Sequence, residues 1–332
     1  MHTSELPTPA LLIDLDVLDA NIATMAAALP GPRLRPHVKA HKCTSLAARQ
    51  AAAGHAGFTC ATIREVEGMA AAGLGADLLL ANEVLDATRL GAVVAAGHRV
   101  TVAVDSDATV DAAAAGGVRE VLVDVNVGLP RCGCDPADVP RLAERARALG
   151  LHVRGVMGYE GHAVGIADGV RRRAEVEASA SALAAAAQAI GAEVVSGGGT
   201  GSWDLNAAVT ELQAGSYVLM DTAYGELGLP FGQALFVLAT VISAHRGGWV
   251  VADAGLKAFG MDHGDPRPVG GGDVWFTSDE HLVWSADPMP ALGDRVRLVP
   301  AHCDPTVAYH AAMWAVRGDD VVDRWPVDLR GW

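Results

Sequence analysis

A chain of 332 residues with 51% hydrophobic residues has ample material for buried sites, while its net charge of −14 repels phosphate backbones and excludes nucleic acid as a natural partner. No apolar run approaches the ~20 residues of a membrane span. The opening MHTSELPTPALLIDLD carries acids where an export signal needs a basic flank, and five cysteines suit reduced thiols, so a cytoplasmic protein without membrane contact is expected. Cys132 and Cys134, one residue apart, leave metal binding conceivable.

From about residue 10 to 225 short apolar runs alternate with Ala-rich amphipathic segments. In chain order, VLDANIATMAAAL predicts a helix and LRPHVK a strand. GFTCAT (strand), IREVEGMAAAGL (helix), ADLLLAN (strand) and DATRLGAVVAAG (helix) follow, then strands in RVTVAVD and EVLVDVNVG. ADVPRLAERARALG and GVRRRAEVEASASALAAAAQAIG predict helices on either side of a strand in HVRGVMGYEGH, and AEVVSGGGTGS and TELQAGSYVLMD predict the last strands. Roughly eight such units imply an α/β protein with a closed (β/α)8 TIM barrel over residues 1–228. Beyond it ALFVLATVISAHR, GWVVADAG, DVWFTSDEHLVW and DRVRLVPAHCD predict a mostly antiparallel β domain over 229–332, which the first residues of the chain can join.

A barrel builds its sites at the C-terminal ends of its strands. Polar residues gather there: Lys39 and His41 after the first strand, Arg131 after EVLVDVNVG, Tyr159 and His162 after HVRGVM, and glycines 197–199 after AEVV. Each also has an ordinary reading as a solvated lysine, a capping arginine, a packed tyrosine or a turn. A lysine in a barrel mouth is desolvated, which lowers its pKa and makes it nucleophilic. Lys42 reads instead as the start of the next helix. SGGGTGSW lacks the GK[ST] of a phosphate-binding P-loop and the spacing of a dinucleotide fingerprint, yet its backbone amides can cradle a phosphate. A nucleophilic lysine and a phosphate cradle in one mouth together point to pyridoxal phosphate. In PAHCDP, a strand reading puts His302 and Asp304 on one face, half of a divalent-metal site.

The motifs TPALLIDLDVLDANI, RPHVKAHK, VDVNVGLPRCG, GVMGYEGHA, SGGGTGSW, QAGSYVLMD, DAGLKAFGMD, SDEH and PAHCDPTV, in that order, resemble the D-threonine aldolase and D-serine dehydratase family, whose barrel is of the alanine-racemase type. The resemblance implies that Lys39 carries pyridoxal 5'-phosphate and that Arg131 and Tyr159 lie at the cofactor ring. It implies that Ser196, Gly198, Gly199 and Thr200, with Gly215 and Ser216, hold the phosphate, and that Gln213 faces the pyridine nitrogen. His162 is implied beside the substrate as a catalytic base. The metal pair is implied at His302 and Asp304, for manganese or magnesium first and zinc or cobalt as further candidates. D-serine dehydratases resemble H-x-C at that place and D-threonine aldolases H-x-D, and this chain has aspartate. The expected reaction is retro-aldol cleavage of a small β-hydroxy-D-amino acid by a homodimer. Dehydration of D-serine or 3-hydroxy-D-aspartate is the alternative, followed by racemisation, for which only Tyr224 and Tyr309 are available as a second base after Met220, and by non-catalytic cofactor binding.

Overall fold

The computed structural model describes all residues from Met1 to Trp332. The chain divides into two compact units that interleave in sequence: a β unit of 1–24, 40–46 and 216–328, and a barrel unit of 25–39, 47–215 and 329–332. The chain begins in the β unit with β1 (Ala10–Asp14), followed by α1 (Leu15–Ala28) and α2 (Thr44–Ala52). Alternation then sets in with β2 (Gly57–Cys60), α3 (Ile63–Ala71), β3 (Asp77–Leu80), α4 (Thr88–Ala95), β4 (Val100–Val104) and α5 (Asp107–Ala115). It continues through β5 (Glu120–Asp124), α6 (Val139–Ala148), β6 (His152–Gly158), α7 (Gly169–Ile190), β7 (Val194–Gly197) and β8 (Glu211–Leu212).

Strands β2 to β8 form one parallel sheet in sequence order. Its outer strands are joined through residues 34–37, because Leu34 bridges Leu212 and His37 bridges Thr59, both in parallel. The ring therefore closes with eight members and is a TIM-type barrel. The expected first strand is reduced to these bridges because Pro36 has no N–H for a ladder, although Arg35 and His37 still donate to the carbonyls of Leu212 and Ala214. Lys39 lies just beyond, in a 3-10 turn at Val38–Ala40.

Strand β4 is VTVAV, buried at every position, as a strand covered on both faces must be. Helix starts carry the local signals: the Thr62 hydroxyl accepts from the Glu65 N–H, Ser106 and Thr109 form a capping box, and Asp168 caps α7. TELQAGSYVLMD, expected as one strand, gives only β8 and then a 3-10 turn at Ser216–Val218.

The β unit continues with α8 (Thr222–Gly225), β9 (Leu235–His245), β10 (Trp249–Ala252), β11 (Arg267–Pro268), β12 (Asp273–Thr277), β13 (Leu282–Ser285) and β14 (Arg295–Val299). It ends with α9 (Cys303–Tyr309), β15 (Ala312–Arg317) and β16 (Asp320–Pro326). These strands, with β1, form one sheet in the order β12-β13-β10-β9-β1-β15-β16, with β14 attached to β9 and β11 to β14. β1 pairs antiparallel with β9 and parallel with β15, so the first strand of the chain lies between two strands of its C-terminal third, over Leu6, Ala10, Leu12, Leu238 and Val316. Trp284 is fully buried and Trp275 is 51% exposed.

Candidate active site

The barrel unit presents its polar groups on four segments. Lys39 is half-buried, and its backbone N–H donates to Nδ1 of His37 at 3.4 Å. The Arg131 guanidinium lies over the Tyr159 ring, 5.4 Å from its centroid, a cation–π contact that fixes both side chains. His162 follows on the same GYEGH segment, with its ring against Gly128. A Cβ on Gly128 would meet the ring at 2.7 Å, and φ there is +128°, so only glycine fits. Nδ1 of His162 is buried with no hydrogen-bond partner, an orphaned group of the kind found at functional sites.

The glycine loop is held from below. Glu160, almost fully buried, accepts from the Ser202 hydroxyl at 2.6 Å and from Asn206 Nδ2 at 3.1 Å, and Ser202 Oγ accepts from the Gly199 N–H at 3.1 Å. The loop is thus tied to the segment that carries Tyr159 and His162. At Gly199 an added Cβ would lie 3.3 Å from the Tyr159 ring, so the loop leaves room beside Tyr159 that any other residue would take. Gln213 Nε2 donates to Ser196 Oγ at 2.9 Å, and the Gln213 N–H donates to the Gly197 carbonyl at 2.9 Å, which sets β8 and Gly215 beside the loop. A lysine amine, a guanidinium stacked on a phenol and a space lined by glycine fit a flat anionic cofactor such as pyridoxal phosphate.

Near Arg131 lies an acidic pair that sequence reasoning missed. Burial first, then the charge of Glu83, pushes the Asp124 carboxyl well above the ordinary carboxylate range, against the pull of Arg131. The same Glu83 hydrogen-bonds the Cys132 thiol and pushes it up to about 11, and burial pushes Cys134 up to about 12. Without a cation beside them, both thiols are therefore held protonated.

The β unit carries the other expected set. The strand reading of PAHCDP does not hold: β14 stops at Val299, and Cys303 opens α9 with His302 as its extended N-cap. Pro300 cannot donate to a ladder, whereas Asp304 and Pro305 suit the first helical turn, where an acid meets the positive end of the dipole and no N–H is needed. His302 instead bridges Gly260. Asp304 Oδ1 accepts from the Ser216 hydroxyl at 3.3 Å, so a residue expected at the phosphate is bonded to one expected at the metal. The buried Asp221 holds the turn, accepting from the Cys303 N–H and the Tyr224 N–H at 2.9 Å each.

His41, expected at a strand end, is buried, and its Nδ1 accepts from the Cys43 N–H at 3.2 Å. Lys42 adopts φ of +46°, uncommon for a side-chain-bearing residue.

Residues 13–223 match the family model for the N-terminal domain of alanine racemase, and 234–316 match a putative serine dehydratase domain. A D-threonine aldolase from Arthrobacter sp. is 38% identical over 98% of this chain and 93% of its own. The chain belongs to the D-threonine aldolase and D-serine dehydratase family. A 3-hydroxy-D-aspartate aldolase from Paracoccus denitrificans (strain Pd 1222) is 35% identical to this family member over its whole length and 94% of the relative. The crystal structure of D-threonine aldolase from Filomicrobium marinum superposes with a TM-score of 0.93 at 35% identity, covering 99% of this chain and 97% of that one.

Proposed function

We propose that this family member is a pyridoxal-phosphate- and divalent-metal-dependent lyase that cleaves β-hydroxy-D-amino acids, giving glycine and acetaldehyde from D-threonine. The observation that carries the reading is aspartate, not cysteine, in His302-x-Asp304 of a chain similar along its length to two aldolases. Bound pyridoxal phosphate supplies the electron sink for the pair released when Cα–Cβ breaks.

Lys39 holds that cofactor through its amine. Arg131 and Tyr159 orient its ring, Ser196, Gly198, Gly199, Thr200, Gly215 and Ser216 hold its phosphate, and Gln213 faces the ring nitrogen. His302 and Asp304 offer one borderline nitrogen and one hard oxygen, a donor set suited to manganese or magnesium and compatible with zinc or cobalt. Held by these two residues, a cation would supply Lewis acidity at the substrate β-hydroxyl. His162, beside the substrate in this reading, accepts the β-hydroxyl proton.

No helix is long and apolar enough to cross a membrane. All five cysteines are free thiols, which supports placing the enzyme in the cytoplasm. The reading takes it to act as a homodimer on a small amino acid.

A general base contributes ~10²–10⁴ in rate, so His162→Ala is expected to lose about that factor in glycine release from D-threonine while visible cofactor absorbance persists. Unchanged turnover in this variant removes His162 from the mechanism. Chelation, or Asp304→Ala, is expected to stop turnover with the cofactor still bound; full activity in chelator contradicts the metal assignment.

The match of 234–316 to a serine dehydratase domain favours one second reading. There Lys39 removes the α-proton, hydroxide leaves, and ammonia and a 2-oxo acid are the products.

A further inference from the structure

The metal reading uses His302 and Asp304, yet the titratable side chains that crowd His302 in the β unit come from a different loop. Asp262 and His263, in GMDHGD, bring their ligand atoms and that of His302 within 4.8 Å of one another. The arrangement is specific. Nδ1 of His302 donates to Oδ2 of Asp262 at 2.7 Å. The His263 ring stacks on the His302 ring with centroids 4.1 Å apart and planes 4° from parallel. The loop itself is fixed to the start of α9, because Gly260 bridges His302 and the Gly260 N–H donates to Thr306 Oγ1 at 2.9 Å.

An ionised carboxylate only accepts hydrogen bonds, so the proton on His302 must sit on Nδ1, and Nε2 of the neutral ring keeps its lone pair. Nε2 is then the ligand atom. A carboxylate behind a metal-binding histidine fixes its tautomer and ring orientation and makes the other nitrogen a stronger base. The stacked His263 restricts rotation of the same ring.

We propose that Asp262 is the positioning residue of the metal site, acting through His302 and not as a ligand, with His263 serving only as a stacking wall. The proposal rests on His302 binding the cation. It extends the metal site from the H-x-D pair to a loop forty residues earlier in the sequence.

The test is titration of the cofactor-loaded full-length protein with Mn2+ alone, followed by calorimetry and by the electron paramagnetic resonance of free Mn2+. Asp262→Ala is expected to weaken Mn2+ binding ~10–100-fold. Asp262→Asn, whose amide oxygen still accepts from Nδ1–H, is expected to fall between wild type and alanine. His263→Phe, which keeps a stacked ring and removes both nitrogens, is expected to stay within about threefold of wild type, well below the ~10–100-fold of an outer-shell loss. The Mn2+ concentration for half-activation should rise with the binding constant in Asp262→Ala, while turnover at saturating Mn2+ falls far less. A purely structural role for Asp262 would move the thermal midpoint and leave the Mn2+ constant alone.

Wild-type affinity in Asp262→Ala overturns the proposal. So does a loss as complete as that of His302→Ala, which would make Asp262 a ligand, and so does an equal loss in His263→Phe. A wild-type protein that binds none of Mn2+, Mg2+, Zn2+ and Co2+ in the same titration overturns the metal reading itself, and this proposal with it.

Discussion

Lys39→Ala is expected to yield a colourless protein with glycine release reduced beyond the ~10²–10⁴ of a single general base, because the substitution removes the group that holds the cofactor as well as a proton carrier. Wild-type protein should be yellow, and borohydride reduction with peptide mapping should place the label on Lys39. The expectation follows from position: Lys39 comes two residues after His37, whose backbone closes the barrel between β8 and β2. Added amines are expected to restore part of the turnover of Lys39→Ala and none of its colour-stable linkage. Label on Lys42 or Lys257 would contradict the assignment. Lys257 is exposed and paired with Glu280 at 2.9 Å, so it has no claim by geometry.

Arg35→Ala is expected to destabilise the barrel unit by ~3–5 kcal/mol, the cost of removing one member of a buried ion pair and leaving its partners uncompensated. Arg35 opens the RPHVKAHK motif, but it serves the opposite end of the barrel from Lys39. Its Nε donates to Glu211 Oε1 at 2.8 Å and its Nη2 to Asp77 Oδ2 at 2.8 Å. Arg154 donates to Asp77 Oδ1 at 2.9 Å and to Thr101 Oγ1 at 2.7 Å, and Arg99 pairs with Glu120 at 2.8 Å. Asp77, Glu120 and Glu211 are the first residues of β3, β5 and β8, so this network closes the N-terminal end, where a TIM barrel keeps its stability and not its chemistry.

The network also sets a pH dependence. Burial alone would raise the Asp77 carboxyl, but the bonds from Arg154 and Arg35 outweigh it and bring it down to about 2. A folded-state value below the ordinary ~3.9 contributes stability that is fully present above about pH 4 and is lost as pH falls towards 2. Wild-type protein should therefore lose stability steeply across that window in urea unfolding, and Arg35→Ala less steeply. Equal slopes, or a loss below 1 kcal/mol for Arg35→Ala, would contradict the role given to this network.

The barrel was legible because its strands are apolar runs, buried throughout in β4, and because α3, α4 and α6 carry a clear polar face. Helix α5, DATVDAAAA, is not distinguished because alanine gives no contrast between faces, whereas α2 is signalled only by Lys42 at its start. The H-x-D of PAHCDP stands out in the sequence, but its conformation differs from the strand expected: Cys303 opens a helix, and the proline after aspartate, which suits a first helical turn, is the signal for it. Asp262 was not legible. Its relation to His302 depends on the Gly260 bridge across forty residues, which no local pattern encodes. Glu160 lies inside GYEGH, where an acid beside a tyrosine suggests surface; its burial against the glycine loop is a tertiary fact.

The measurement that bears most directly on the function is product analysis with D-threonine and D-serine, with and without added Mn2+. Glycine and acetaldehyde from D-threonine, dependent on the metal and with little product from L-threonine, is the predicted result. Ammonia and a 2-oxo acid as the dominant products would contradict the aldolase reading and make the protein a dehydratase.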